Sequence, residues 1–537
     1  MLLPRLLHHL QLWRREMRAA ESAQRSYPAS MLAMQSGCTD SPPVVRSLHA
    51  DRDEAARGRS QPSFPALNRP RRQNRPSGFG APQGQGLCPP PTQKSRRGSS
   101  MKARIVIIGG GVMGISIAAQ LARQTDALKE PIMLLERGSV GGGTSGRSST
   151  ILRQFNESRC IASMARDSLR FYSRFEDKIG RSIGFLRTGV LTLAKSQDPA
   201  DIEQLEELVA MQATMGIDIT RVSAREIRNL IPGAEVEAGT VGAWECSAGC
   251  VDSTRTLEAF SCLARNKGAI LRPGTTVEKI LVKAGRVCGV RTAEGDIQCE
   301  DVVVAAGPWT RGLLLGLGLD YPLNITRTEH LHVTNSSLKE AEAHSDPEFG
   351  MHGPESSGAT SWISRDILDA ALADEAGEGT KLGSCSEASV LHPTLIDPQL
   401  GFYARCDPLH ARARVGRCSA GQATPVADPD HLDERIDDEF RDWVRATLSR
   451  RLPAYEDAEE VGAEVRMCTE TKDSRALIGP TPEIKGLYLV SGFSGCGFKL
   501  APSVGEGVAQ MLLGQPVSAF EPEYFAPARF SALRVPG

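Results

Sequence analysis

The chain lacks the features that mark several large protein classes. No uninterrupted apolar run in its 537 residues approaches the roughly 20 that a membrane helix requires. The most apolar stretch, around 105–121, is interrupted by glycines, so a soluble protein without stable membrane insertion is expected. Thirteen cysteines include no C-x-x-C pair, and an odd, scattered count suits reduced thiols better than a secreted disulfide framework. Cys246 and Cys250 stand four apart without a matching histidine pair, so no metal site is expected. Aromatics make up only 5% of the chain and do not interleave with its basic segment, which argues against a nucleic-acid partner. No internal repeat of fixed period occurs.

The net charge of −1 conceals an asymmetry. Residues 1–100 carry 16 Lys/Arg against 6 Asp/Glu, leaving 47 against 58 in the remainder. This front is rich in Pro, Gly, Ser and Gln, and most of it is expected to be disordered. Its first fifteen residues, MLLPRLLHHLQLWRR, are compatible with a basic amphipathic helix and resemble a mitochondrial transit peptide. That reading places the protein in the mitochondrial matrix. Met101, directly before the first strand, offers the alternative of a cytoplasmic product that starts there.

What is present is a glycine turn in a specific setting. Arg104-Ile-Val-Ile-Ile-Gly-Gly-Gly-Val-Met-Gly114 reads as a buried strand, a turn and a helix, with Gly109, Gly111 and Gly114 in G-x-G-x-x-G spacing. The first glycine permits the turn, the second lets backbone approach a pyrophosphate, and the third lets helix pack on strand. The free N–H groups of the helix N-terminus attract phosphate. A second apolar strand ends at Glu136, 22 residues past the last glycine, where a carboxylate takes the ribose hydroxyls of an adenosine. The segment therefore predicts a bound dinucleotide.

After Glu136 comes a long loop, 137–150, rich in glycine and hydroxyls. Helices are expected at 160–176, 201–215 and 253–265, and strands at 189–194, 270–272, 276–282, 287–292 and 297–305, with Glu294-Gly295 forming a hairpin turn. Residues 335–387 read as a solvated insertion with one helical patch at 367–375, and a long amphipathic helix is expected at 430–451. A strand at 487–490, a glycine-rich junction and a helix to about Leu513 close the chain and complete the first sheet. The fold class is α/β: a Rossmann-type domain with a central parallel sheet, joined to an α+β domain on a mostly antiparallel sheet. The spans 101–156, 241–312 and 459–537 are assigned to the first and 157–240 and 313–458 to the second.

The motifs IIGGGVMG with Glu136, GTSGRSSTILRQ, DVVVAAGPWT, GFYAR and VSGFSGCGFKLAP resemble the FAD-dependent amine and amino-acid oxidoreductases of the D-amino-acid oxidase superfamily, over roughly 103–335 and 400–515. The similarity is greatest to the branch of sarcosine oxidase and dimethylglycine dehydrogenase. The resemblance implies FAD contacts at Gly109, Gly111, Gly114, Glu136, Arg137, Ser145, Ser148, Gly307, Gly495, Gly497 and Phe498. It implies a substrate-carboxylate clamp of Arg153 and Lys499, with Tyr403 shaping the pocket. A bidentate guanidinium beside an ammonium suits a carboxylate on chemical grounds as well.

Departures from the family pattern are informative. Arg466 stands where sarcosine oxidases attach flavin through cysteine, with Cys468 two residues away, and Gly146 stands where dimethylglycine-type enzymes use histidine. Non-covalent FAD is therefore expected. Arg414 occupies the place of the family's oxygen-activating lysine, so either O2 or an electron-transfer flavoprotein is open as acceptor. The implied reaction is oxidation of the C–N bond of a small, often N-methylated, amino acid by hydride transfer to flavin N5, the imine then hydrolysing. A 2-hydroxy-acid dehydrogenase would need a histidine base; His330 and His332, in an alternating strand, read as structural. A mitochondrial assembly flavoprotein with little turnover is the third reading.

Overall fold

The computed structural model describes residues 101–125, 129, 131–335, 392–407, 412–418 and 423–530, with the backbone of 533–534. The basic front, its transit-peptide reading, and the 335–387 insertion beyond Asn335 lie outside the described residues.

The first sheet has six strands in the order Leu477–Pro480, Leu487–Ser491, Asp301–Val304, Ile105–Ile108, Ile132–Glu136 and Ile270–Pro273. All neighbours run parallel except the outermost pair, Leu477–Pro480 against Leu487–Ser491. The central strands are uninterrupted apolar runs because both faces are covered. Ile105, Ile107, Leu134 and Val303 point into a cluster with the helices Val112–Gln124, Ser253–Asn266 and Gly497–Leu512. Val106, Ile108, Val302 and Val304 point the other way, onto a meander of Val277–Lys283, Arg286–Thr292 and Gly295–Gln298. The expected strand 297–305 is thus two strands in two sheets. The chain steps from one to the other at Cys299-Glu300, where the N–H groups of Glu300 and Asp301 both donate to the Arg104 carbonyl.

The second sheet has nine strands. Leu323–Thr334 and Glu459–Thr471 pair antiparallel along their lengths, from Leu323↔Thr471 to Thr334↔Glu459. Arg412–Arg417, Phe402–Asp407, Thr394–Asp397, Val190–Leu193, Val241–Glu245 and Thr220–Ser223 continue the sheet on one side of Leu323–Thr334, and the short strand Thr424–Pro425 flanks it on the other. Val241–Glu245 and Glu459–Thr471 therefore pair in this sheet, although both fall in spans assigned from sequence to the nucleotide-binding domain. Glu459–Thr471 takes its ladder from Leu323–Thr334, more than 120 residues earlier, and Val241–Glu245 from Thr220–Ser223 and Val190–Leu193.

The two faces of this sheet differ because side chains alternate along each strand. Leu331, Val333, Leu395, Phe402, Ala404 and Val415 pack against Phe440, Val444 and Leu448 of the helix Asp438–Arg451. The other face carries His330, His332, Tyr403, Arg405, Asp407 and Arg414. The long helix begins at Asp438, not at 430. Residues 430–437 instead leave a turn and run without helix, held by side chains: Glu329 Oε1 accepts the Asp437 N–H at 2.7 Å, and Arg327 donates to the carbonyls of Asp433 and Arg435.

Candidate active site

The turn after Ile105–Ile108 sets the geometry. Gly109 has φ +110° and donates its N–H to Leu135 O at 2.9 Å, and a Cβ there would lie 2.4 Å from the Ala305 carbonyl oxygen. A Cβ on Gly114 would lie 2.0 Å from the Gly109 carbonyl oxygen, so only glycine allows this approach of helix to strand. Ser145 Oγ accepts the Val112 N–H at 2.9 Å and so joins the glycine-rich loop to the start of the helix Val112–Gln124. Glu136 is bound from both sides: Oε2 accepts the Gly110 N–H at 2.6 Å and Oε1 the Gly138 N–H at 2.7 Å. Each carboxylate oxygen retains a lone pair for a further donor.

A cavity of about 740 Å³ opens over this turn. Gly109, Gly111, Glu136, Arg137, Ser145, Ser148, Gly307, Gly495, Gly497 and Phe498 all line it. Gly114 does not; it sits behind the wall as the packing glycine. Trp309, Thr328, Arg417, Cys418, Arg466, Met467 and Cys468 also line the cavity, so the polar face of the second sheet forms its far side. At the Glu136 end, the Arg137 guanidinium stands 4.0 Å from the Trp309 ring centroid. Asp430 holds both, accepting from Arg137 Nη1 at 2.6 Å and Trp309 Nε1 at 2.8 Å.

None of Arg153, Lys499, Tyr403 and Arg414 lines that cavity. Lys499, on the first turn of the helix Gly497–Leu512, is 6% exposed, and its Nζ has no hydrogen-bond partner. It follows Gly497 and Phe498 of the cavity wall directly. Burial lowers its pKa, with Cys496, Arg153 and Glu245 as its electrostatic neighbours. Arg153 follows the short strand Ile151–Leu152, and its side chain makes no hydrogen bond or ion pair with the described residues. The structure thus brings together the two cations that the sequence separates by 346 positions.

Tyr403 and Arg414 belong to different surroundings. The Tyr403 hydroxyl lies between Ser149 Oγ at 2.6 Å and His330 Nε2 at 2.7 Å, all three buried. Burial, together with Arg466 and Arg414, pushes His330 well below its ordinary range and keeps the ring neutral. Arg414 lies in a charged layer with Arg405, Arg412, Asp407 and Glu464, 3.7 Å from Asp407 and 3.6 Å from Glu464. It lines a separate cavity of only about 20 Å³ with Ser148, Thr150, Cys250 and Arg405. Its Nη1 also donates to the carbonyl of Ser148, a residue of the large cavity's wall, at 3.4 Å.

Glu245 and Asp430 have no signal in the sequence that singles them out, whereas Trp309 lies in the DVVVAAGPWT motif without an assigned role. Glu245 is wholly buried beside Arg153 and Lys499, and Asp430 lies inside a stretch whose pattern reads as helix.

The family model for FAD dependent oxidoreductases, DAO, matches residues 104–511. The mouse mitochondrial pyruvate dehydrogenase phosphatase regulatory subunit is 25% identical over 426 residues, covering 77% of this chain and 42% of that protein. The 4-methylaminobutanoate oxidase (formaldehyde-forming) of Paenarthrobacter nicotinovorans is 26% identical over 412 residues, covering 76% and 43%. The chain thus spans about two fifths of the length of these two relatives. The crystal structure of L-proline dehydrogenase from P. horikoshii superposes with a TM-score of 0.64 at 22% identity, over 80% of this chain and 98% of that one, a likeness of fold. With three quarters of its length matched, the chain belongs to the DAO family of FAD-dependent oxidoreductases.

Proposed function

We propose that this protein oxidises the C–N bond of a small amino acid, N-methylated or not, with non-covalently held FAD. The cavity's chemistry fits FAD. Its volume lies within the usual range for ligand sites, its floor is a glycine turn that a Cβ would block, and a carboxylate with spare lone pairs stands at one end. Gly109, Gly111, Ser145 and the N-terminus of the helix Val112–Gln124 would hold the pyrophosphate and Glu136 the ribose. When bound, FAD supplies the two-electron acceptor for the C–H hydrogen of the substrate.

The observation that carries the reading is the orphaned ammonium of Lys499, buried beside Arg153 and joined to the cavity wall through Phe498. A buried ammonium that no oxygen accepts from is costly, and a substrate carboxylate would relieve that cost. Arg153 and Lys499 then orient the substrate so that the carbon next to nitrogen faces the cavity, while burial excludes water. The relative that oxidises 4-methylaminobutanoate supports an N-methylated amino acid. A 2-hydroxy acid would need a histidine base, and His330 Nε2 is already paired with the Tyr403 hydroxyl.

Anaerobic mixing of the holoprotein with sarcosine, dimethylglycine, proline and 2-hydroxyglutarate tests the proposal. Loss of flavin absorbance with an amine is expected, and Arg153→Ala should weaken that response at least tenfold, the equivalent of one charge-assisted hydrogen bond, without releasing FAD. Bleaching by the hydroxy acid alone would overturn the reading. Retained colour with no bleaching by any of the four would favour a regulatory role without turnover, for which a relative named as a phosphatase regulatory subunit is the supporting observation.

A further inference from the structure

Glu245 is a buried carboxylate that the roles above leave unused. It ends the strand Val241–Glu245 and is 0% exposed. Its Oε1 accepts two backbone N–H groups, from Gln154 at 2.6 Å and from Phe155 at 3.1 Å, the two residues that follow Arg153. Its Oε2 has no hydrogen-bond partner, and its cationic neighbours are Arg153 and Lys499. The carboxylate therefore touches one arm of the clamp through the backbone and faces both arms through charge.

We propose that Glu245 is the positioning residue of the clamp: it fixes the backbone that aims Arg153, and its charge keeps Lys499 protonated. The inference rests on the reading of Arg153 and Lys499 as a carboxylate clamp and extends it to substrate class. Two cations and one buried anion leave a net charge of one, which a single carboxylate neutralises. A dicarboxylate would bring a second negative charge that Arg153 and Lys499, already balanced by Glu245 and the first carboxylate, do not meet. Burial raises the pKa of Glu245 and lowers that of Lys499, so each alone drifts toward its neutral form. Each opposes that drift in the other, because an opposite charge nearby favours ionisation. The groups that face Lys499 are Cys496, Arg153 and Glu245, of which only Glu245 is a carboxylate.

The experiment is a pH series of carboxylate binding to the FAD-loaded protein, with acetate and succinate as probes and the perturbed flavin absorbance as readout. In the wild type, acetate binds better than succinate and weakens along an alkaline limb set by Lys499. Glu245→Gln should move that limb down by about one to three pH units, the usual effect of a close opposite charge. Lys499→Met should abolish the limb in both backgrounds. A limb that stays in place in a Glu245→Gln protein that keeps its flavin would show a scaffold role only and overturn the proposal. If Glu245→Gln cannot hold flavin, the comparison passes to Glu245→Asp, whose shorter side chain sets the charge back. A lowered limb supports the proposal and an unmoved one overturns it. Failure of the wild type to bind acetate at any pH would instead sink the clamp itself.

Discussion

At the residue scale, the legible positions are those where one side chain meets a covalent constraint close in sequence. Gly109 and Gly114 are required by a positive φ and by a backbone contact within six residues, and Glu136 by the end of the next strand. Arg153 and Lys499 were legible only through resemblance, and Glu245, which stands between them, was not legible at all, because its partners lie 91 residues before and 254 after it. Cys468 shows how little a residue's offset in a motif says about reach. Two positions from the expected attachment point, it nevertheless lines the cavity together with Arg466. Burial pushes its thiol up to about 11, so almost none is thiolate, the nucleophilic form, at neutral pH. At the other attachment position, a Cβ on Gly146 would already lie 2.4 Å from the Gly141 carbonyl oxygen. Acid precipitation of the holoprotein should therefore leave the yellow colour in the supernatant. Colour that stays with the pellet would mean a covalent bond and would contradict non-covalent FAD.

At the element scale, the helix Gly497–Leu512 joins cavity to core and carries its own defect. Pro502 lies inside it and has no N–H to donate to the carbonyl four residues back, that of Phe498. The Tyr172 hydroxyl, from the helix Arg159–Ser173, donates to that carbonyl instead, at 2.8 Å. Burial raises the Tyr172 pKa well above its usual value, so the hydroxyl remains a donor. The free carbonyl is thereby satisfied where Phe498 meets the cavity. Tyr172→Phe keeps the ring stack on Phe498 but orphans the carbonyl, a loss of about 1–3 kcal/mol. Urea denaturation should register a loss of that order, with faster release of FAD. An unchanged midpoint would mean that water or a shifted turn satisfies Phe498. The sequence announced this helix through its apolar pattern, yet the pattern that also suggested a helix from 430 was overridden there by ion pairs and carbonyl contacts from Arg137, Arg327 and Glu329. Local periodicity records what a segment prefers alone, and such tethers from distant strands decide otherwise.

At the scale of the whole molecule, two lobes are tied by a sheet face in which buried histidines lie among arginines. The parallel sheet was readable because its apolar runs are self-contained. The broad sheet was only partly readable, since Glu459–Thr471 takes its place through a partner far along the chain, Leu323–Thr334. That assembly has a consequence for acid stability. Burial, then the guanidinium groups of Arg414 and Arg412, lower the His332 pKa to about 3, and the opposing charge of Asp407 does not reverse this. Burial likewise lowers His330 and His392. All three are neutral in the fold, whereas in the unfolded chain each takes up a proton near pH 6.5. Below that pH the unfolded state binds more protons, so stability falls as the solution is acidified; the share due to His332 continues to fall until about pH 3. Each histidine contributes a slope of about 1.4 kcal/mol per pH unit. Glu245, whose pKa burial raises, binds its proton more readily in the fold and offsets part of the total. Urea midpoints measured from pH 7.5 to 5 should therefore decline with a net uptake of one to three protons on unfolding. A flat profile across that window would mean that the histidines on the polar face are reached by water and titrate as they do in the open chain.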